Sequence, residues 1–182
     1  MVERVAMLCL HTSPLDQPGT GSSGGMNVYV SGLARALATA DIEVDIFTRS
    51  PDQLHMISEA PNVRVIALPG GPAGPLAKDT LALVAPEYAA AIDRLAAGEG
   101  RLYDIVHSHY WISGLAGVQL ADRWSVPFVH MFHTLSRVKT RFAGSPADPR
   151  RAAGEQRVLD AADAVVVANQ IEATHLRESY RV

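Results

Sequence analysis

Six short apolar runs, separated by longer amphipathic stretches, constrain the fold of this chain more than any other feature. Arg4–Leu10, Ile42–Phe47, Val63–Leu68, Ile105–His107, Val126–Met131 and Ala164–Ala168 are rich in Val, Ile and other apolar residues at successive positions. A strand that is apolar on both faces needs a cover on each, as a parallel sheet between helices provides. The intervening Met26–Ala40, Thr80–Ala97, Ser113–Arg123, Pro149–Ala162 and Gln170–Tyr180 carry helical spacing. In the first of them Val30, Leu33, Ala34 and Leu37 mark one apolar face. Alternation of this kind predicts an α/β fold, a doubly wound, Rossmann-like parallel sheet, and 182 residues suit one domain over positions 1–182.

Composition excludes several classes of function. A formal net charge of −3 argues against a general nucleic-acid binder, which needs a basic surface to displace counterions. The single cysteine, Cys9, leaves no internal disulfide or thiolate zinc cluster and reads as a buried, inert thiol. Its apolar run is too short for the core of a signal peptide with a cleavage site, and no run reaches membrane-spanning length. A cytoplasmic setting is the expectation.

Three connections are long: His11–Gly25, Pro69–Lys78 and Phe132–Asp148. Each follows an expected strand, so all three should gather at the C-terminal edge of the sheet, where open α/β folds bind ligands. The first contains Gly19-Thr20-Gly21-Ser22-Ser23-Gly24, a literal G-x-G-x-x-G, with Asp45 about twenty residues on. A dinucleotide fingerprint has its glycines directly after the strand, however, whereas here His11–Pro18 intervenes and Asp45 falls inside a strand. What remains is general: glycines let a ligand approach the backbone, and the N-terminus of the next helix favours an anion.

His107, His109, His130 and His133 sit in and after two expected strands. His107 and His109 share a strand face, as a metal pair would. No acidic residue lies close in sequence to complete such a site, and one histidine buried with another facing a cleft fits better. Arg123–Arg157 holds seven cations (Arg123, Arg137, Lys139, Arg141, Arg150, Arg151 and Arg157) against Asp148 and Glu155. Part of that excess belongs to a solvated helix face. Cations converging near a helix N-terminus would also hold a phosphate. Lys78, one of two lysines, closes the second loop within reach of the same place.

Taken together these motifs resemble the N-terminal domain of family 4 retaining glycosyltransferases. The likeness rests on His11-Thr12-Ser13-Pro14-Leu15, Gln17-Pro18-Gly19-Thr20-Gly21, Gly24-Gly25-Met26-Asn27-Val28-Tyr29, Ile42–Ile46, His107-Ser108-His109-Tyr110-Trp111, Ser113-Gly114, His133-Thr134-Leu135 and Glu155-Gln156. It is nearest to members that glycosylate inositol phosphate. Ser136-Arg137-Val138-Lys139 is closer to a turn of sucrose-phosphate synthases, and Ser22 stands where the inositol-phosphate enzymes carry an acidic residue.

The resemblance implies the acceptor-binding half of an enzyme that moves sugar from a nucleotide-sugar, a UDP-sugar by preference, to a phosphorylated polyol or sugar. No cofactor is implied within this domain. Donor-binding residues would be Gln17, Pro18 and Gly25. Acceptor-binding residues would be His11, Ser22, Ser23 and Asn27, with Lys78, Tyr110, Thr134 and Arg151 on the phosphate. His133 would be the catalytic residue, beside the transferred sugar, and no metal is implied. A second domain would carry most of the donor contacts, beginning near Tyr180-Arg181-Val182. Leu15, Trp111 and Phe132 would then face the cleft between the domains, an edge through which the isolated domain would form homodimers. Exposed Lys78 and Arg151 should contribute little to folding. Two other readings are a nicotinamide-dependent oxidoreductase domain and a non-catalytic phosphate-sugar-binding module.

Overall fold

The computed structural model describes residues 1–17, 19 and 24–181. Its centre is a seven-stranded sheet of β1 (Arg4–Leu8), β2 (Glu43–Ser50), β3 (His55–Ala60), β4 (Val63–Pro69), β5 (Ile105–His109), β6 (Phe128–Met131) and β7 (Ala164–Val165), in the order β3-β4-β2-β1-β5-β6-β7. All neighbours pair in parallel except β3 and β4. Helices α1 (Gly25–Ala38), α2 (Lys78–Leu83), α3 (Ala85–Gly98), α4 (Trp111–Trp124), α5 (Ser136–Ala143), α6 (Pro149–Ala161) and α7 (Gln170–Ser179) complete the fold.

The period of two along β1 shows why both faces had to be covered. Ala6, Leu8 and Leu10 enter a large core with Phe47, Ile66, Tyr88, Ile92 and Trp111. Met7 and Cys9 point the other way, into a smaller core with Val30 and Ala34 of α1. The Cys9 thiol is fully buried and donates to the Thr12 carbonyl at 3.1 Å, and burial pushes its pKa up to about 12. It is the inert thiol the sequence implied. Leu10, just past β1, finds its acceptor in the buried Ser113 hydroxyl at 2.8 Å. None of the described helices is long and apolar enough to cross a membrane.

Three features depart from expectation. The sheet is mixed, because β3 returns antiparallel along the outer edge of β4 through a two-residue turn, Pro61-Asn62. Asn62 has φ +60°, the conformation that a turn with Pro at its second position asks of its third. The stretch expected as one helix over Thr80–Ala97 is two, α2 and α3, meeting at Val84. Pro86 has no N–H to continue α2 and fits the first turn of α3 instead. The third long loop contains a helix, α5, with its carbonyl end closed by Gly144 in the left-handed conformation.

Close packing of α4 on the sheet depends on small residues. A Cβ on Gly114 would meet Val158 at 2.7 Å and His130 at 2.9 Å. Gly114→Ala should therefore overpack the junction of α4, α6 and β6 and destabilise the chain by about 1–3 kcal/mol, measured by urea unfolding. An unchanged midpoint would mean that the junction has slack.

His107, His109 and His130 are all buried in β5 and β6, which makes three of the four expected histidines internal instead of one. Burial holds all three neutral, with His107 lowered to about 4 and the other two well below their ordinary value. The unfolded chain takes up protons near pH 6.5 while the folded chain does not, so stability is full above that pH and is lost as pH falls toward 4. The slope per histidine reaches about 1.4 kcal/mol per pH unit. Denaturant midpoints should drop steeply between pH 7 and 5, and a flat profile there would contradict this burial.

Candidate functional site

The chain's connections cross over between β1 and β5, where the strand order reverses, and a ligand crevice is expected beyond those C-terminal ends. His11 follows β1 and Tyr110 follows β5, and their rings lie 4.4 Å apart between centroids. The three long connections follow β1, β4 and β6, all parallel, so they leave the sheet on this one edge as expected.

Tyr110 is the floor. Its ring is buried at the start of the large core, and both Lys78 Nζ and Arg151 Cζ sit over it, 5.6 and 5.1 Å from the centroid. Arg151 Nη2 donates to the Thr134 carbonyl at 2.8 Å and to Thr134 Oγ1 at 3.0 Å. That hydroxyl thus accepts from Arg151 and keeps its own proton to donate. Lys78, Tyr110, Thr134 and Arg151, from four separate segments, meet in one place. Arg151 and not Arg150 occupies it, because only Arg151 turns from the first turn of α6 onto the ring.

Backbone strain marks the same spot. Tyr110 has φ +69° and ψ 146°, a region where side chains are rarely tolerated. His133 has φ +61°, and Thr134 N–H donates across it to the Phe132 carbonyl at 2.7 Å, a tight γ-turn. Tyr110 directly follows β5 and His133 lies two residues past β6, where strain re-aims a side chain into the crevice.

The electrostatics are unbalanced. Burial first, then Lys139 and Arg151, lower the Lys78 pKa. His11 is lowered to about 3 by burial, with Lys78, His133 and Arg151 adding repulsion. Neither lysine has an ion pair among the described residues. Lys139 joins this cluster although its place in the basic run singled it out no more than its neighbours. Its signal was scarcity, since Lys78 and Lys139 are the chain's two lysines. The rest of the run disperses: Arg123 pairs with Asp93 at 2.8 Å, Arg141 with Glu178 at 2.9 Å, and Arg137 lies over Tyr180.

Arg151 is not the free surface cation expected. Its Nε lies 2.7 Å from Glu155, whose carboxylate is 0% exposed, so it holds a buried charge as well as facing the crevice. His133 is half-buried, lowered to about 4 by burial, and its Nε2 lies 3.0 Å from His109 Nδ1. It lines a cavity of about 450 Å³ with Thr134, Lys139, Phe142, Asn169 and Glu172.

Gly25 opens α1 with nothing among the described residues within 4 Å of where its Cβ would be. Asn27 is buried: its Oδ1 accepts from Gly24 N–H at 3.1 Å, and its Nδ2 donates to Thr12 Oγ1 at 2.9 Å and to the Ser13 carbonyl. In this structure it ties Gly24 to Thr12 and Ser13, the two ends of the first long loop, and its amide is not free for a ligand. Gln17 is exposed, while Pro18, Ser22 and Ser23 lie outside the described residues. Of the three apolar side chains expected to face the crevice, Leu15 is 41% exposed, but Trp111 and Phe132 are core residues at 5% and 2%. Trp111 begins α4 and packs against Gly154 of α6, which leaves it no route outward.

Asp45 does not serve a dinucleotide. It lies near the N-terminal end of β2, on the opposite edge, and is closed off by Arg64 at 2.7 Å, Arg101 at 3.0 Å and the Tyr103 hydroxyl at 2.6 Å.

Comparison with known proteins bears on the family and the fold. The chain is 47% identical, over 97% of its length, to D-inositol 3-phosphate glycosyltransferase of Xylanimonas cellulosilytica, of which it covers 44%. Among solved structures, sucrose-phosphate synthase from Thermosynechococcus elongatus superposes with a TM-score of 0.88 at 33% identity, over 97% of this chain and 45% of that one. UGT89C1 of Arabidopsis thaliana complexed with UDP-L-rhamnose shares the fold alone, at 10% identity and a TM-score of 0.59, over 96% of this chain and 44% of its own. The chain thus spans less than half the length of these proteins. Residues 24–182 match the glycosyl transferase 4-like domain, and the chain belongs to that family.

Proposed function

We propose that this chain is the acceptor-binding half of a retaining glycosyltransferase that transfers sugar from a nucleotide-sugar to a phosphorylated polyol or sugar, an inositol phosphate by preference. The observation that carries the reading is the meeting of Lys78, Arg151 and the Thr134 hydroxyl on the Tyr110 ring, with Lys139 near and, among the described residues, an ion pair for Arg151 but for neither lysine. Like charges held together lower one another's affinity for protons, and a dianionic phosphate relieves that repulsion with charge-assisted hydrogen bonds.

His11 and the Ser22–Ser23 pair extend the acceptor side in this reading, and Asn27 joins it by exchanging its Thr12 and Ser13 contacts for the acceptor. Gln17, Pro18 and Gly25 form the donor side, where the open approach to Gly25 and the first N–H groups of α1 suit a diphosphate. A UDP-sugar is the proposed donor, in keeping with the UDP-L-rhamnose of a protein that shares the fold. His133, neutral at physiological pH because burial lowers it to about 4, acts through hydrogen bonding and not as an acid. Transfer with retention would then rest on placed dipoles around an oxocarbenium-like transition state.

The relatives are more than twice this length, and we assign the donor's remaining contacts to a second, C-terminal domain in the cytoplasm. Leu15, Tyr29, Phe142 and Ile171 leave apolar surface around the crevice for such a domain to cover, or for a homodimer to use in its absence.

Calorimetry with inositol phosphate and inositol tests the acceptor site on this chain. Inositol phosphate should bind and unphosphorylated inositol should not. Lys78→Ala should weaken binding about ten- to hundred-fold, the equivalent of about 1.5–3 kcal/mol, with unchanged stability. Arg151→Ala should weaken it comparably and also destabilise the fold by up to about 3–5 kcal/mol, because it strands the buried Glu155 charge. Equal affinity for both ligands, or an unchanged affinity in Lys78→Ala, would refute the phosphate assignment. NAD titrated in parallel separates off the oxidoreductase reading, which has already lost Asp45.

A further inference from the structure

We infer that His109 is a positioning residue for His133: it donates its Nδ1–H to His133 Nε2, which leaves the His133 proton on Nδ1 as a donor for bound substrate. The inference rests on the reading of His133 as a substrate-contacting residue, and it specifies which atom makes the contact.

The geometry begins with burial. His109 ends β5 at 0% exposure, and its Nδ1 lies 3.0 Å from His133 Nε2. Burial keeps both rings neutral, so each carries one N–H, and across their 3.0 Å contact one ring must donate while the other accepts. The other nitrogen decides the direction. His109 Nε2 is buried with no hydrogen-bond partner among the described residues. If it carried the proton, a buried N–H would be orphaned, whereas an unpaired lone pair is the more tolerable of the two arrangements. The proton therefore belongs on His109 Nδ1, and His133 Nε2 accepts.

The surroundings hold this arrangement in place. Tyr29 of α1 packs edge-on against both rings, 5.9 Å from His109 and 5.5 Å from His133 between centroids. The positive φ of His133 and its γ-turn fix the backbone from which the ring projects. Free imidazole side chains favour the proton on Nε2, so a His133 carrying it on Nδ1 is an uncommon state that needs an outside donor. His107 and His130 supply none: His107 packs its ring on His109 at 4.4 Å, and His130 is bonded through Nδ1 to Ser108 Oγ at 2.6 Å.

Long-range ¹H–¹⁵N correlation spectra of the ¹⁵N-labelled chain at pH 7 read the tautomer of each histidine directly. The expected result is an Nδ1–H form for both His109 and His133. In His109→Phe, His133 should revert to the Nε2–H form, and in His109→Gln, whose amide can donate, the Nδ1–H form should return. A His133 that is Nε2–H in the unaltered chain, or that stays Nδ1–H in His109→Phe, overturns the inference. Should His109→Phe fail to fold, the unaltered chain decides alone, because an Nε2–H form of either ring refutes the donor assignment. Addition of inositol phosphate tests the parent reading separately. Unshifted His133 resonances on saturation would sink the substrate contact and leave the tautomers as they are.

Discussion

The crevice is organised around one buried carboxylate. Glu155 accepts the Ser136 N–H on both oxygens at 3.1 and 3.0 Å, the Arg151 Nε at 2.7 Å and the Tyr180 hydroxyl. Three segments distant in sequence, the start of α5, the body of α6 and the end of α7, thus converge on a group with no access to water. A lone carboxylate there would be strongly unfavourable, and the three donors make it tolerable without making it a large source of net stability. Its effect is orientation. With Nε held by Glu155 and Nη2 by Thr134, the Arg151 guanidinium has one setting over the Tyr110 ring. The loop bearing His133 and Thr134 is anchored at the same time through Ser136.

Strain and packing then divide the work of aiming the site. Parallel strands end at one edge with their side chains alternating between two covered faces, and a regular strand end would carry that alternation on through Tyr110 and His133. The positive φ at each breaks that alternation, at about 1–3 kcal/mol per residue. Their neighbours Trp111 and Phe132 take ordinary conformations and are buried, whereas the Tyr110 ring, buried as well, keeps a face under Lys78 and Arg151, and His133 stays half-buried. The hydrogen bonds from Tyr110 N–H to Met131 O and from Thr134 N–H to Phe132 O hold the strained turns closed.

What the sequence made legible follows from which signals are local. The apolar runs of β1, β2, β4, β5 and β6 announce a covered sheet, because each residue type reports its own burial. β3 does not: Met56 and Ile57 are a lone apolar pair between polar residues and both stay exposed on an edge strand, so the run looks like a loop. Its one local clue was Pro61-Asn62. Helix α5 was hidden by its polar sequence, and the break before Pro86 by an apolar pattern that continues through it. For the site, Lys78, Tyr110, Thr134 and Arg151 came from family resemblance and a scarce lysine, and the fold does gather them. Non-local properties were out of reach: that Arg151 grips a buried acid, that Asn27 consumes its amide within the chain, and that Trp111 packs inward all depend on partners far away in sequence.

The two edges of the sheet show why counting charges in a sequence cannot separate a binding site from a staple. At the N-terminal edge Arg4, Arg64 and Arg101 interleave with Glu43, Asp45 and Glu99, with every carboxylate matched by a guanidinium at 3.0 Å or less. That network is neutral and closed, and it pins β1, β2, β4 and the end of α3 together. At the C-terminal edge Lys78, Lys139 and Arg151 gather beside one buried carboxylate, Glu155, and neither lysine has an ion-pair partner among the described residues. A protein whose only concern was stability would gain by placing acids there, since like charges held close repel by an amount that burial enlarges. The imbalance persists beside strained backbone at the crossover of the sheet, where each of these costs falls on the same few residues. A bound anion offsets the charge, and the strain is what turns Tyr110 and His133 toward it.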